Sequence, residues 1–202
     1  APVPDGDSNP NNPGIGDRSF SRDPKIVSKL GIETMKGLQS QQVIPAVKHF
    51  PGHGDTSVDS HLELPKVNKS LDDLKLELIP FRDAIDNGAD IMMVAHILLP
   101  QIDAEHPSSF SKAVMTDLLR KDLGFDGVVM TDDLTMQAIT NHFGIGAATV
   151  QSVKAGSDIV MVAHEYHNVV TVVDALKDAV SQGEITEERI DESVRRIITL
   201  KE

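Results

Sequence analysis

The chain has 202 residues, 40% hydrophobic and 25% charged, with a formal charge of −12 and no cysteine. That size allows one globular domain with its own core or a piece of a larger one, and excludes a disordered chain. The acidic balance leaves no surplus of Lys and Arg to neutralise phosphates, which argues against a nucleic-acid partner; the lack of cysteine excludes disulfides and thiolate–metal sites.

In chain order, "APVPD" reads as the tail of a strand, followed by an Asn/Pro/Gly-rich loop to Phe20. Residues 23 to 41 read as a helix, with Asp23 as its N-cap and Pro24 in its first turn. "VIPAVKHF" is a strand, and residues 70 to 88 a helix capped by Ser70, with Asp73 three residues on and Gly88 closing its end. "DIMMVAH" (90–96) is the next strand, 111–124 the next helix, and "GVVMTDD" (127–133) the next strand. A helical pattern then runs to about Ala155, before the strand "SDIVMVAH" (157–164) and the helix "NVVTVVDALKDAVSQG". "EERIDESVRRIITLK" is a final amphipathic helix.

Short strands, apolar on both faces and separated by helices, predict a parallel sheet buried under helices. No Gly-rich phosphate turn of the dinucleotide-binding kind follows any strand. Each strand instead ends in ionisable residues: Asp5, Lys48 and His49, His96, Asp132 and Asp133, His164. That pattern predicts an α/β fold of the (β/α)8 TIM-barrel type, whose chemistry sits at the C-terminal strand ends. About five strand–helix units are visible against the eight of a closed barrel, so residues 1–202 are expected to be a partial barrel lacking its first units. No apolar run approaches the roughly 18 residues of a membrane span. The opening shows no signal-peptide pattern, although a targeting segment cut away is compatible with it; the compartment, cytoplasmic or exported, stays open.

The segment "KHFPGHGDTSVDSHLELP" (48–65) crowds proton-active side chains into the loop after a buried strand. Lys48 and His49 leave the strand at its C-terminal end and in regular β geometry face opposite sides. Asp59 is two residues from His61, close enough to accept from one ring nitrogen and leave the other for proton transfer. The plainer reading is an Asx-type turn with an exposed histidine. A carboxylate of the Asp132–Asp133 pair, again at a strand end, can act as nucleophile, metal ligand or hydrogen-bond acceptor, while Asp133 better fits a cap of the helix near Leu134. His96 lines a pocket or closes a strand; His164 fits the second role. His49, His53, Asp55, Asp59 and His61 are also possible ligands of a divalent metal, without the H-x-H or H-E-x-x-H spacing typical of zinc.

These segments resemble the β-N-acetylglucosaminidase (β-hexosaminidase) branch of glycoside hydrolase family 3. "KHFPGHGDTSVDSHLELP" resembles its signature, "GVVMTDDLTMQAI" its nucleophile segment and "NPGIGDRSFSRDP" its upstream sugar-binding loop; "GADIMMVAH" and "RIDESVRRIITLK" also fit. The resemblance implies a retaining exo-glycosidase acting on GlcNAc-terminated glycans such as peptidoglycan fragments, without metal or cofactor. It implies Asp132 as nucleophile and His61, paired with Asp59, as acid/base, with Arg18, Lys48 and His49 binding sugar hydroxyls and His96 a further candidate contact. Family barrels begin earlier, so the partner expectations include the rest of the barrel or another copy of the chain. The alternatives are a non-catalytic fragment of such a barrel or a metal-dependent barrel hydrolase.

Overall fold

The structure, a computed structural model, describes Pro2, Asp5, Gly6, Asn9 and residues 11–202. Four strands, β1 (Ala46–Phe50), β2 (Ile91–Val94), β3 (Val128–Asp133) and β4 (Ile159–Met161), form one parallel sheet in the order of the chain. Val47 pairs with Met92 and Met92 with Val129, so the strands run level and their C-terminal ends share one side. Helices α1 (Pro24–Gln39), α2 (Lys75–Asp86), α3 (Gln137–Thr140), α4 (Ile145–Ala155), α5 (Tyr166–Ser181) and α6 (Glu187–Lys201) alternate with them, together with a π-helix at Ala113–Asp122. This is part of a β/α barrel, as the alternation predicts. The strand read in "APVPD" falls largely outside the described residues; Pro2 O accepts from Lys48 N, on the outer side of β1.

Local signals account for most element ends. Asp23 Oδ1 accepts from Lys25 N and caps α1, with Pro24 at its start. Ser70 and Asp73 exchange hydrogen bonds in a capping box, but regular α winding begins only at Lys75, after one turn at Leu71–Leu74. Gly88, at φ +81°, takes the chain out of α2 through a left-handed conformation open to glycine.

Two predicted helices differ from expectation. Residues 113–122 wind as a π-helix: Leu123 N, for example, bonds Leu118 O. The buried residues Val114, Met115, Leu118 and Leu119 suit either winding, which is why periodicity cannot separate the two. The helical pattern from Leu134 to Ala155 is broken: α3 is four residues long, and α4 starts afresh after Asn141–Gly144. Phe143, in that break, packs edge-on against Phe110, a contact a continuous helix does not predict.

The main core lies between the sheet and α1, α2 and the π-helix, around Phe50, Phe81, Met92, Met115, Leu119 and Phe125. Beside this core lies a buried ionic cluster. Asp158, fully buried, accepts from Arg120 Nη2, Ser193 Oγ (2.7 Å), Arg196 Nη1 (3.1 Å) and Val129 N (3.0 Å). It thus joins β3, the π-helix and α6. Burial lowers the Arg120 pKa to about 10, against the pull of Asp158, so the guanidinium stays charged at neutral pH. Removing one partner of such a set strands the others without compensation. Asp158→Ala is expected to cost about 3 kcal/mol or more, read from the urea midpoint. Ser193→Ala, which removes one neutral donor, is expected to cost about 1 kcal/mol. Equal midpoint shifts for the two would show that solvent already screens the arginines.

Candidate active site

The site grows from the end of β1. Strand pairing shifts register between Lys48 and Phe50, and the alternation that should separate Lys48 from His49 is lost: both border one cleft. Beneath them lies Asp5, fully buried. Its Oδ2 accepts from His49 N (2.9 Å) and meets His49 Nδ1 at 2.7 Å; its Oδ1 accepts from His53 N (2.7 Å). Burial works to raise the Asp5 pKa, but the His49 imidazole, His53 and the backbone donor outweigh it and hold the carboxyl below its usual range. Because an ionised carboxylate only accepts, Nδ1 of His49 carries a proton and Nε2 is turned towards Asp132 Oδ2, 4.0 Å away.

Asp132 lies near the C-terminal end of β3, with its Oδ1 accepting from Asp133 N (2.9 Å). Its environment is also mixed. Burial raises its pKa, while His49, His96, the Asp133 N–H and Lys48 lower it, and the net direction is down. The result is a carboxylate ionised at neutral pH and poor in water, which suits a nucleophile.

Asp133 does structural work, as its position suggests, though not as a helix cap at Leu134, since α3 begins only at Gln137. It accepts from Thr135 N (3.0 Å), Thr135 Oγ1 (2.6 Å) and Ala163 N (3.1 Å), binding the turn after β3 to the end of β4. His96 is fully buried, with Nδ1 2.7 Å from Ser109 Oγ and Nε2 3.0 Å from Asp133 O. Both nitrogens are therefore engaged by protein, and His96 stands behind Asp132 rather than on the cleft wall. Burial lowers its pKa, which keeps the ring neutral. His164 is exposed, 3.7 Å from Asp133 Oδ2.

Asp59 and His61 reach the same cleft from the loop after β1. Asp59 Oδ1 accepts from His61 N (2.9 Å) and lies 2.7 Å from His61 Nδ1, which leaves Nε2 for a substrate. Burial opposes ionisation of Asp59, but the His61 backbone and ring donors prevail and lower its pKa. Arg18, in the short 3-10 turn Gly16–Arg18, also lines this cleft and donates to Gly14 O. A second hollow, lined by Thr135, Met136, Met161 and His164, meets the first at Asp132 and His61.

The metal arrangement considered for this loop does not form, because each candidate is turned to its own partner. His49 faces Asp5, His53 lies between Thr56 and Ser60, Asp55 pairs with Lys69 and His61 with Asp59. Among the described residues no three such side chains converge.

Two residues that shape the site escape the sequence reading. Asn12, buried, accepts from Gly14 N and Ile15 N (both 2.9 Å) and donates to His53 O (2.7 Å), pinning the Arg18 loop onto the His61 loop. Its signal was the Asn-Pro-Gly turn. His53, read only as a possible ligand, is buried and hydrogen-bonded at both ring nitrogens.

The description "Glycosyl hydrolase family 3 N terminal domain" matches residues 1–200. "Beta-hexosaminidase A" of Pseudoalteromonas piscicida is 37% identical over 100% of this chain and 37% of its own length. "Beta-hexosaminidase LpqI" of Mycobacterium bovis is 37% identical over 100% of this chain and 53% of its own. Among solved structures, a glycoside hydrolase family 3 β-N-acetylglucosaminidase from Paenibacillus sp. is 47% identical, with a TM-score of 0.98 over 100% of this chain and 39% of that one. The chain thus spans 37% to 53% of the length of these two curated relatives. Its fold, its order of segments and its sequence agree: the chain belongs to glycoside hydrolase family 3, in the branch of the β-hexosaminidases.

Proposed function

We propose that this chain carries the catalytic centre of a retaining exo-β-N-acetylglucosaminidase, acting on terminal β-linked GlcNAc of glycans such as peptidoglycan fragments. One observation carries the reading: an anionic Asp132 on a strand end and a His61 oriented by Asp59 on a separate loop border the same cleft. The names of the relatives support the sugar.

The steps follow from the atoms. Asp132 Oδ2 attacks the anomeric carbon while His61 Nε2–H gives its proton to the glycosidic oxygen; the C–O bond breaks and a glycosyl–Asp132 ester forms. The now neutral Nε2 takes a proton from water, whose oxygen attacks the anomeric carbon and restores the Asp132 carboxylate. Asp59 holds Nδ1–H throughout and stabilises the imidazolium. Lys48, His49 and Arg18 bind sugar hydroxyls from the cleft wall, and His96 acts from behind through the Asp133 carbonyl. The second hollow gives the leaving group room beyond the bond that Asp132 and His61 flank.

In this reading residues 1–202 form part of a catalytic barrel, without its first strand–helix units. The described sheet has four strands, and β4 stands at its edge. That open edge favours a second reading, in which the chain alone is non-catalytic. Turnover of an aryl β-N-acetylglucosaminide by an N-terminally extended form, and not by residues 1–202, would favour the second.

In whichever form is active, Asp132→Ala is expected to abolish turnover, and a slow fluorinated substrate to leave a sugar attached at Asp132 in the mass spectrum. His61→Ala is expected to slow substrates with poor leaving groups by about a hundredfold or more. Full activity of Asp132→Ala would sink the assignment. Asp5 gives a separate test by linkage. Its folded pKa is depressed, so its stabilisation is complete above the unfolded value of about 3.9 and is lost as pH falls from there through the folded value. The urea midpoint of Asp5→Asn should therefore fall less steeply than that of the parent between about pH 5 and pH 2. Parallel curves would mean that Asp5 has an ordinary pKa.

A further inference from the structure

The residue between the two members of the Asp59–His61 dyad is turned the other way. Ser60 is buried (4% exposed), whereas the side chain of His61 is 67% exposed. Ser60 Oγ lies 3.1 Å from His53 Nε2, and Ser60 O accepts from Ala138 N (3.2 Å) in α3, the helix that follows the nucleophile strand.

The protons on this chain of groups can be assigned by satisfying each one. The Thr56 hydroxyl donates to His53 O (3.0 Å) and accepts from Asn12 Nδ2 (3.2 Å), so at 2.7 Å it also accepts from His53 Nδ1–H. Nε2 of a neutral His53 is then the acceptor, and Ser60 Oγ–H donates to it. Burial, the largest influence on His53, lowers its pKa and agrees with a neutral ring. His53 in turn is fixed by its backbone donor to Asp5.

The dyad's own bonds are local, from residue 59 to residue 61. They orient the imidazole within the loop and say nothing of where the loop sits relative to Asp132. The other side-chain ties from the loop's far end to the α3 region, Asn141 Nδ2 to Leu62 O and His142 to Glu63, are exposed. We propose that Ser60, with His53 behind it, is a positioning residue: it clamps the acid/base loop between the Asp5–His53 scaffold and the helix after β3, and so sets His61 against Asp132. This rests on the roles proposed above for Asp132 and His61.

The test is Ser60→Ala in the full chain, with two readouts. Amide exchange at His61, Leu62 and Glu63, all bonded to Asp59, is expected to quicken about tenfold, while amides of β1 to β3 keep their protection. Hydrolysis is then compared between a dinitrophenyl β-GlcNAc, which needs little acid help, and an unactivated GlcNAc disaccharide. The disaccharide is expected to lose about tenfold more than the aryl glycoside, whereas a defect in folding alone lowers both alike. His53→Ala added to Ser60→Ala is expected to change the leaving-group ratio no further, since the two act as one unit. Unaltered exchange at His61 to Glu63, or equal slowing of both substrates, overturns the proposal. If neither residues 1–202 nor the N-terminally extended form cleaves either substrate while Ser60→Ala still frees the loop, the catalytic reading fails and the clamp stands.

Discussion

A carboxylate removed from water has to be met by donors, and Asp5 is met by three: two backbone N–H groups and one ring nitrogen, all within 2.9 Å. An unpaired charge in that place would cost several kcal/mol, so the donors are held as firmly as the acid. The consequences spread in two directions. One oxygen fixes the ring of His49 and aims its second nitrogen at Asp132. The other fixes the backbone of His53, where the chain leaves β1 and the loop carrying Asp59 and His61 begins. Loop and strand end thus share one buried anchor, supplied by a residue more than forty positions away in sequence.

The Asp132 side is built on a different plan. Asp132 sits on an interior strand, paired on both sides, and its neighbours take up the structural duties: Asp133 ties the following turn to Ala163, and His96 braces the Asp133 carbonyl against Ser109. Asp132 itself accepts one backbone bond, which leaves Oδ2 uncommitted. Its ionised state is a balance between burial, which opposes charge, and nearby cationic or polar groups, which favour it. In the role proposed for Asp132, such a preorganised anion would stabilise developing positive charge without reorganising solvent.

How much of this was legible in the sequence depends on the range of the interaction. The parallel sheet, the order of its elements and the cap at Asp23 rest on local patterns, and they hold; Ser70 and Asp73 bond each other as their spacing suggests, but the helix they were to start begins only at Lys75. The dyad was legible too, because Asp59 and His61 meet within one turn. What periodicity missed was winding and interruption: the π-helix keeps the buried spacing of an α-helix, and the break at Asn141–Gly144 is fixed by Phe143 meeting Phe110. The roles of Asn12 and His53 were hidden because their partners lie about forty residues away or in a loop whose path the sequence does not state. His96 was visible as a strand-end histidine, but whether it faces the cleft or the strand behind depends on Ser109, a contact without local signal.

These ranges also divide the energetics of the site. Orienting His61 on Asp59 is a local matter, and little chain entropy is lost in making it. Holding the whole loop against α3 is not, since it closes a span of nearly eighty residues from Ser60 to Ala138. The exposed Glu63–His142 pair is screened by solvent and contributes little. A buried hydrogen bond is worth about 1 kcal/mol, and its loss strands a polar atom at a cost of about 1–3 kcal/mol. The loop's resting place is therefore decided at Ser60 and His53, beneath the dyad, while the surface pair trims it. A loop held in this way can yield and return, provided the bonds that define its resting place are buried and few.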